Sequence, residues 1–355
     1  MIDQHVHLRD NKQVHKETIE HGLYIAHQAG LDGVFEMPNT NPVLTTRKTI
    51  EERIEMGEKA IKKLGVKIFH GIYAGITAEK KQIEEMVKLH TEYFPKIVGL
   101  KMFAGNSTGN MGLVIETEQK IVYQTLAELG YKGVLTVHCE NEDSINSKLW
   151  NPEEPISHTK VRPYQAETRS ISDQIMLAKE AGYNGVLNIA HISSPISLQI
   201  FQSQKEQVGF ELTCEITPHH CVLYDKLMEK ENGILLKMNP ALRTQSMQTY
   251  MINSLIGGDI DFIATDHAPH TLKEKQGENA ASGIPGLPYY PKFIKLLREK
   301  GMKEELIEQV THDRIIEVFK IPEGLIPNTK RAGKQTEKEL DKLRKEYEFD
   351  AFSFL

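Results

Sequence analysis

The chain of 355 residues carries 43 basic against 49 acidic side chains, a formal charge of −6, and is 39% hydrophobic and 26% charged. This globular balance excludes disordered, collagen-like and disulfide-stapled classes, and the lack of a basic stripe speaks against nucleic acid as a partner. No apolar run approaches the roughly 18 residues of a membrane span, and the start MIDQHVHLRD has no signal-peptide pattern, so a cytoplasmic protein with no membrane partner is expected. Cys139, Cys214 and Cys221 are odd in number and lack CxxC spacing, which suits free thiols in a reducing compartment.

Short apolar or β-branched runs alternate with amphipathic stretches from the first residues to about residue 320. In chain order the predicted strands are 2–8 (IDQHVHL), 32–37 (DGVFEM), 66–73 (VKIFHGIY), 97–103 (IVGLKMF), 133–139 (GVLTVHC), 185–191 (GVLNIAH), 210–216 (FELTCEI) and 261–266 (DFIATD). The first intervening helix is read over 16–30, where apolar residues at three- and four-residue spacing end at a glycine. Eight such units without a GxGxxG after the first strand predict an α/β fold closed as a (β/α)8 TIM barrel rather than a dinucleotide-binding sheet. The expected division is a barrel over 1–327 and a charged tail over 328–355, helical or partly disordered. Two long connections, 140–166 and 267–290, belong to the catalytic face of such a barrel.

Ionisable residues collect at the carboxyl ends of these strands: His5, His7, Lys101, His138, His191 and Asp266. His5 and His7, two apart on a strand, share a face and can reach one metal ion, and four such histidines together suit zinc. Lys101 lies in the apolar run GLKMF, where a free ammonium is costly to bury; a neutral amine there can add carbon dioxide to form a carbamate. Asp266, in ATDHAPH, is read either as a helix N-cap or as a ligand that accepts a proton from water. Cys139, next to His138, points to the opposite face as a packing residue. The sequon at Asn106 to Thr108 carries no weight in a chain without an export signal.

DQHVHLR, EMPNT, GLKMF, TVHCE, AHISS, ITPHH, KMNPALRT and ATDHAPH, in order from residue 3 to 270, resemble the dihydroorotases of the amidohydrolase superfamily. The resemblance implies a metal-dependent hydrolase barrel with two zinc ions. His5, His7 and Asp266 hold one ion, His138 and His191 the other, and carboxylated Lys101 and a hydroxide bridge them. It further implies that Arg9, Asn39 and His270 bind a substrate carboxylate and that Asp266 shuttles the proton. The segment GNSTGNMG is similar to a loop that closes over substrate in compact members, with Thr108 as its threonine. The first loop lacks the EPG of longer members, and their small β-sandwich domain is expected to be absent or vestigial. The implied reaction is the reversible cyclisation of N-carbamoyl-L-aspartate to (S)-dihydroorotate in pyrimidine biosynthesis, with a small molecule as the main partner. Alternatives are a hydantoinase or allantoinase, whose substrates lack that carboxylate, and a non-catalytic partner of aspartate transcarbamoylase. The oligomeric state stays open, a homodimer being one arrangement.

Overall fold

Thr18 begins the first helix and Gly30 ends it. The Thr18 hydroxyl accepts the His21 amide at 3.1 Å, so the helix runs Ile19–Gln28, shorter than the expected 16–30, and Gly30 takes φ +89° to turn the chain back. Ile19, Leu23 and Ala26 form its buried stripe. The same alternation repeats through the computed structural model, which describes every residue except Thr108 and Asn110.

Eight parallel strands follow in sequence order: β1 Ile2–Val6, β2 Gly33–Glu36, β3 Phe69–Gly75, β4 Ile97–Ala104, β5 Val134–Cys139, β6 Val186–Ile189, β7 Glu211–Ile216 and β8 Phe262–Ile263. Val6 bridges His267, and the His7 amide donates to the His267 carbonyl at 2.8 Å, which brings the last strand back to the first. β8 has only two paired residues where six were expected. The amide and hydroxyl of Thr265 turn to the buried Asp3 carboxylate, at 3.0 and 2.5 Å, and Asp266 adopts φ +47°. That departure from the ladder aims Asp266 at the site.

The interior of the barrel is layered. At the floor Phe319 packs edge-on to Phe35 and Tyr73, at 5.2 and 6.2 Å between ring centroids. Gly99 leaves room for this layer, since a Cβ there would lie 3.3 Å from Tyr73 Cε1. Above it the Asn188 amide donates to Thr136 at 3.3 Å and accepts from Thr213 at 3.1 Å. Side chains two residues further along the same strands face the mouth.

The long connections meet there, with the Trp150 indole donating to the Glu278 carbonyl at 2.8 Å. The tail contains a helix, Glu337–Arg344, capped by Thr336, and buries Leu340, Leu343, Phe349, Ala351 and Phe352. Phe352 stacks on Tyr289 at 3.7 Å.

Candidate metal centre and substrate cleft

Five strand ends deliver the six residues with ligand chemistry to one place. His5 lies within β1 and His7 just past it. His7 Nε2 is 3.0 Å and His5 Nε2 3.4 Å from the same oxygen of Asp266, Oδ1, and a ligand atom from each residue lies within 4.8 Å of the others. His138 ends β5 beside His191, which sits two residues past β6 with φ +38°; His138 Nδ1 faces His191 Nε2 at 3.0 Å. The His5 and His191 rings, 5.4 Å apart, join the two halves. Lys101 is wholly buried in β4 between them, and its Nζ has no hydrogen-bond partner among the described residues.

The electrostatics suit cations. Burial lowers the pKa of His5, His7 and His191, leaving neutral imidazoles with lone pairs to give. Burial also lowers that of Lys101, towards the free amine. Burial would raise the Asp266 pKa, yet His5, His7 and Lys101 outweigh it and bring it down to about 2, so the carboxylate is ionised at neutral pH. Neutral imidazoles, an ionised carboxylate and an unpartnered buried amine are a donor set that fits divalent metal.

Two glutamates missed by sequence reasoning hold two of these histidines. Glu215, at the end of β7, accepts from His5 Nδ1 and, at 3.3 Å, from both Asn188 and Gln4. Glu140 accepts from His138 Nε2 at 2.9 Å and is paired with Arg162. A carboxylate on one ring nitrogen fixes the tautomer and frees the other nitrogen for metal. Their signal lay in strand alternation: Glu140 follows His138 by two residues, and Glu215 has the same inward parity as Thr213 on a central strand.

A cleft opens above the cluster, with Arg9, Asn39 and Asn239 on its walls. Arg9 to Asn11 all have positive φ (57°, 75° and 49°), and this left-handed turn is the shape of the loop without EPG. It is secured from behind, with Arg53 donating to the Arg9 carbonyl at 2.6 Å and Asp10 accepting the Ile19 amide at 2.9 Å. Arg9 is 2% exposed; burial lowers its pKa to about 10, so it stays a cation at neutral pH. Asn39 is buried, 5% exposed, in the turn after β2. His270 lies behind the wall, its Nε2 3.3 Å from Arg9 Nη2. Thr108 lies outside the described residues.

Residues 1–196 match the family model described as dihydro-orotase-like. The chain belongs to that family. It is 32% identical to a dihydroorotase of Lactobacillus gasseri over 330 residues, which cover 90% of this chain and 73% of that protein. A dihydroorotase of Brevibacillus brevis is 33% identical over 335 residues, covering 91% and 74% respectively. Among solved structures, an L-hydantoinase from Arthrobacter aurescens superposes with a TM-score of 0.79 at 24% identity, over 91% of this chain and 71% of that one. A Saccharomyces cerevisiae dihydroorotase in complex with 5-fluoroorotic acid gives 0.73 at 17% identity, over 92% and 85%. Family membership carries metal-dependent amidohydrolase chemistry, and the structural likeness carries the barrel fold.

Proposed function

We propose that this family member is a dihydroorotase, interconverting N-carbamoyl-L-aspartate and (S)-dihydroorotate, with residues 1–327 as the catalytic barrel and 328–355 as its C-terminal extension. The observation that carries the choice of substrate is the buried Arg9 guanidinium on the wall of the cleft that His5, His7, His138, His191 and Asp266 line. A buried cation beside such a cluster calls for an anionic substrate, and dihydroorotate brings a carboxylate where hydantoin and allantoin bring none.

The donor set supports two zinc ions: His5, His7 and Asp266 would hold one, His138 and His191 the other, and Lys101, once carboxylated, would offer an oxygen to each. When bound, such a pair supplies Lewis acidity and makes water a competent nucleophile at neutral pH. The rest falls to the chain's own residues. Arg9 and Asn39, with His270 behind, orient the substrate carboxylate, and Thr108 belongs to the loop proposed to cover it. Asp266, whose Oδ1 lies 3.0 Å from His7 Nε2 and 3.4 Å from His5 Nε2, takes a proton at its carboxylate and returns it to the ring nitrogen as the amide bond breaks. In the reverse direction it removes that proton from the carbamoyl nitrogen. Glu215 and Glu140 hold the imidazole tautomers while the proton moves.

The three free, buried cysteines are consistent with a cytoplasmic setting, and no helix among the described residues is long and apolar enough to cross a membrane. A homodimer is part of the same proposal. The test is a panel of dihydroorotate, N-carbamoyl-L-aspartate, hydantoin and allantoin with zinc-loaded protein. Turnover confined to the first two is expected; preferential turnover of hydantoin or allantoin would overturn the assignment.

A further inference from the structure

We propose that Lys16 is a positioning residue that sets the tautomer of His270, so that Arg9 keeps its Nη2 donor for a substrate carboxylate; the carboxylate part rests on the function proposed above. Burial, with Arg9 and Lys16 close by, lowers the His270 pKa and keeps the imidazole neutral, so one ring nitrogen carries hydrogen and the other a lone pair. Each nitrogen has two neighbours that make opposite demands. Nδ1 is 3.2 Å from Lys16 Nζ, which can only donate, and 3.4 Å from Glu274 Oε2, which accepts. Nε2 is 3.1 Å from the Ser282 carbonyl oxygen, which accepts, and 3.3 Å from Arg9 Nη2, which donates.

Only two arrangements satisfy both ends. In the first, Lys16 donates to Nδ1 and Nε2–H donates to Ser282. In the second, Nδ1–H donates to Glu274 and the Nε2 lone pair accepts from Arg9. The first has the shorter contacts at both nitrogens. It also turns the Nε2 hydrogen to Ser282, so the ring takes no donor from Arg9 and Nη2 is left for a carboxylate at the edge of the cleft. In the second, Arg9 spends a donor on the ring.

Lys16 decides between them, because its ammonium meets a lone pair at Nδ1 in the first arrangement and a hydrogen in the second. The lysine is itself held, 3.0 Å from Glu274 Oε1, with Glu274 fixed in the capping box of Thr271. Its side chain is 12% exposed, which lets it be replaced without opening the core. In the sequence Lys16 reads as the start of a helix. The Thr18 cap leaves it before the first turn, where its side chain crosses to the loop after β8.

The experiment is a long-range proton–nitrogen correlation spectrum of zinc-loaded, nitrogen-15 histidine-labelled protein without substrate, assigned to His270 with His270→Gln. The wild type is expected to carry its hydrogen on Nε2, and Lys16→Met to move it towards Nδ1. Lys16→Arg, which keeps the donor, should keep the wild-type tautomer. Lys16→Met/Glu274→Leu, which removes the acceptor that favours the other form, should recover it. In steady state Lys16→Met should raise KM for dihydroorotate about tenfold, the effect of one lost hydrogen bond, with a much smaller fall in kcat. An unchanged tautomer in Lys16→Met overturns the role of Lys16 whatever the substrate is. A changed tautomer with unchanged KM overturns the link from Lys16 through Arg9 to the carboxylate. Failure of the wild type to turn over dihydroorotate removes the proposed function and that link with it, while the tautomer result stands by itself.

Discussion

Lys101 and Arg9 are basic side chains in places where a cation is expensive, and each is explained by what it would touch. The Lys101 amine is enclosed by apolar strand and faces the Phe103 ring at 5.0 Å. Lys101→Ala is expected to bind substantially less metal and to be nearly inactive, with partial rescue by short carboxylic acids; two bound ions and full activity in the variant would contradict the bridging role. Arg9→Met should lose about 2 to 5 kcal/mol of transition-state binding for dihydroorotate while metal content stays normal. Measuring kcat/KM for dihydroorotate and hydantoin in both proteins checks this, since equal losses would mean that Arg9 does not recognise the carboxylate. The metal-type residues were legible in sequence because strand ends, two-residue alternation and the family motifs all marked them. Glu215, Glu140 and Lys16 were not, because each acts on a residue distant in sequence or buried behind the ligand, and only the closed barrel brings them together.

Elements were legible where their pairing is regular. β3, β4, β5 and β7 lie close to the apolar runs that predicted them, since a strand buried on both faces reads as a continuous run. β8 was read too long because Thr265 and Asp266 leave the ladder for partners on β1. The tail shows the opposite difficulty. Its composition reads as charged and exposed, yet the sparse apolar residues Leu340, Leu343, Phe349 and Phe352 are those that dock. Phe352→Ala is expected to lower the unfolding free energy by about 3 kcal/mol through the cavity it leaves against Tyr289. Denaturant unfolding with an unchanged midpoint would contradict that docking, and metal content should not change.

Across the whole molecule, Glu17 ties the first barrel unit, the loop after β8 and the tail together. It accepts from His267 Nε2 at 3.0 Å, His21 Nδ1 at 3.1 Å and the Tyr347 hydroxyl. Burial would raise its pKa, but His267, His21 and Tyr347 lower it to about 2, below the ordinary 4.5. A depressed carboxylate stabilises the fold fully above the unfolded pKa and loses that contribution as pH falls through the folded one. The window is therefore pH 4.5 down to about 2, with a contribution on the order of 3 kcal/mol at neutral pH. Glu17→Gln should be less stable than wild type at pH 7 and differ less from it at pH 3, as read by denaturant unfolding at the two pH values; a constant difference would contradict the linkage.

The central claim is that these strand ends form a metal-dependent dihydroorotase. Metal quantification on one preparation whose activity has been measured in both directions tests it most directly. Two zinc equivalents per chain are expected, with rates for ring opening of dihydroorotate and for cyclisation of N-carbamoyl-L-aspartate that rise and fall together with metal content. Two equivalents bound with neither rate detectable, or full rates in protein stripped of metal, would contradict it.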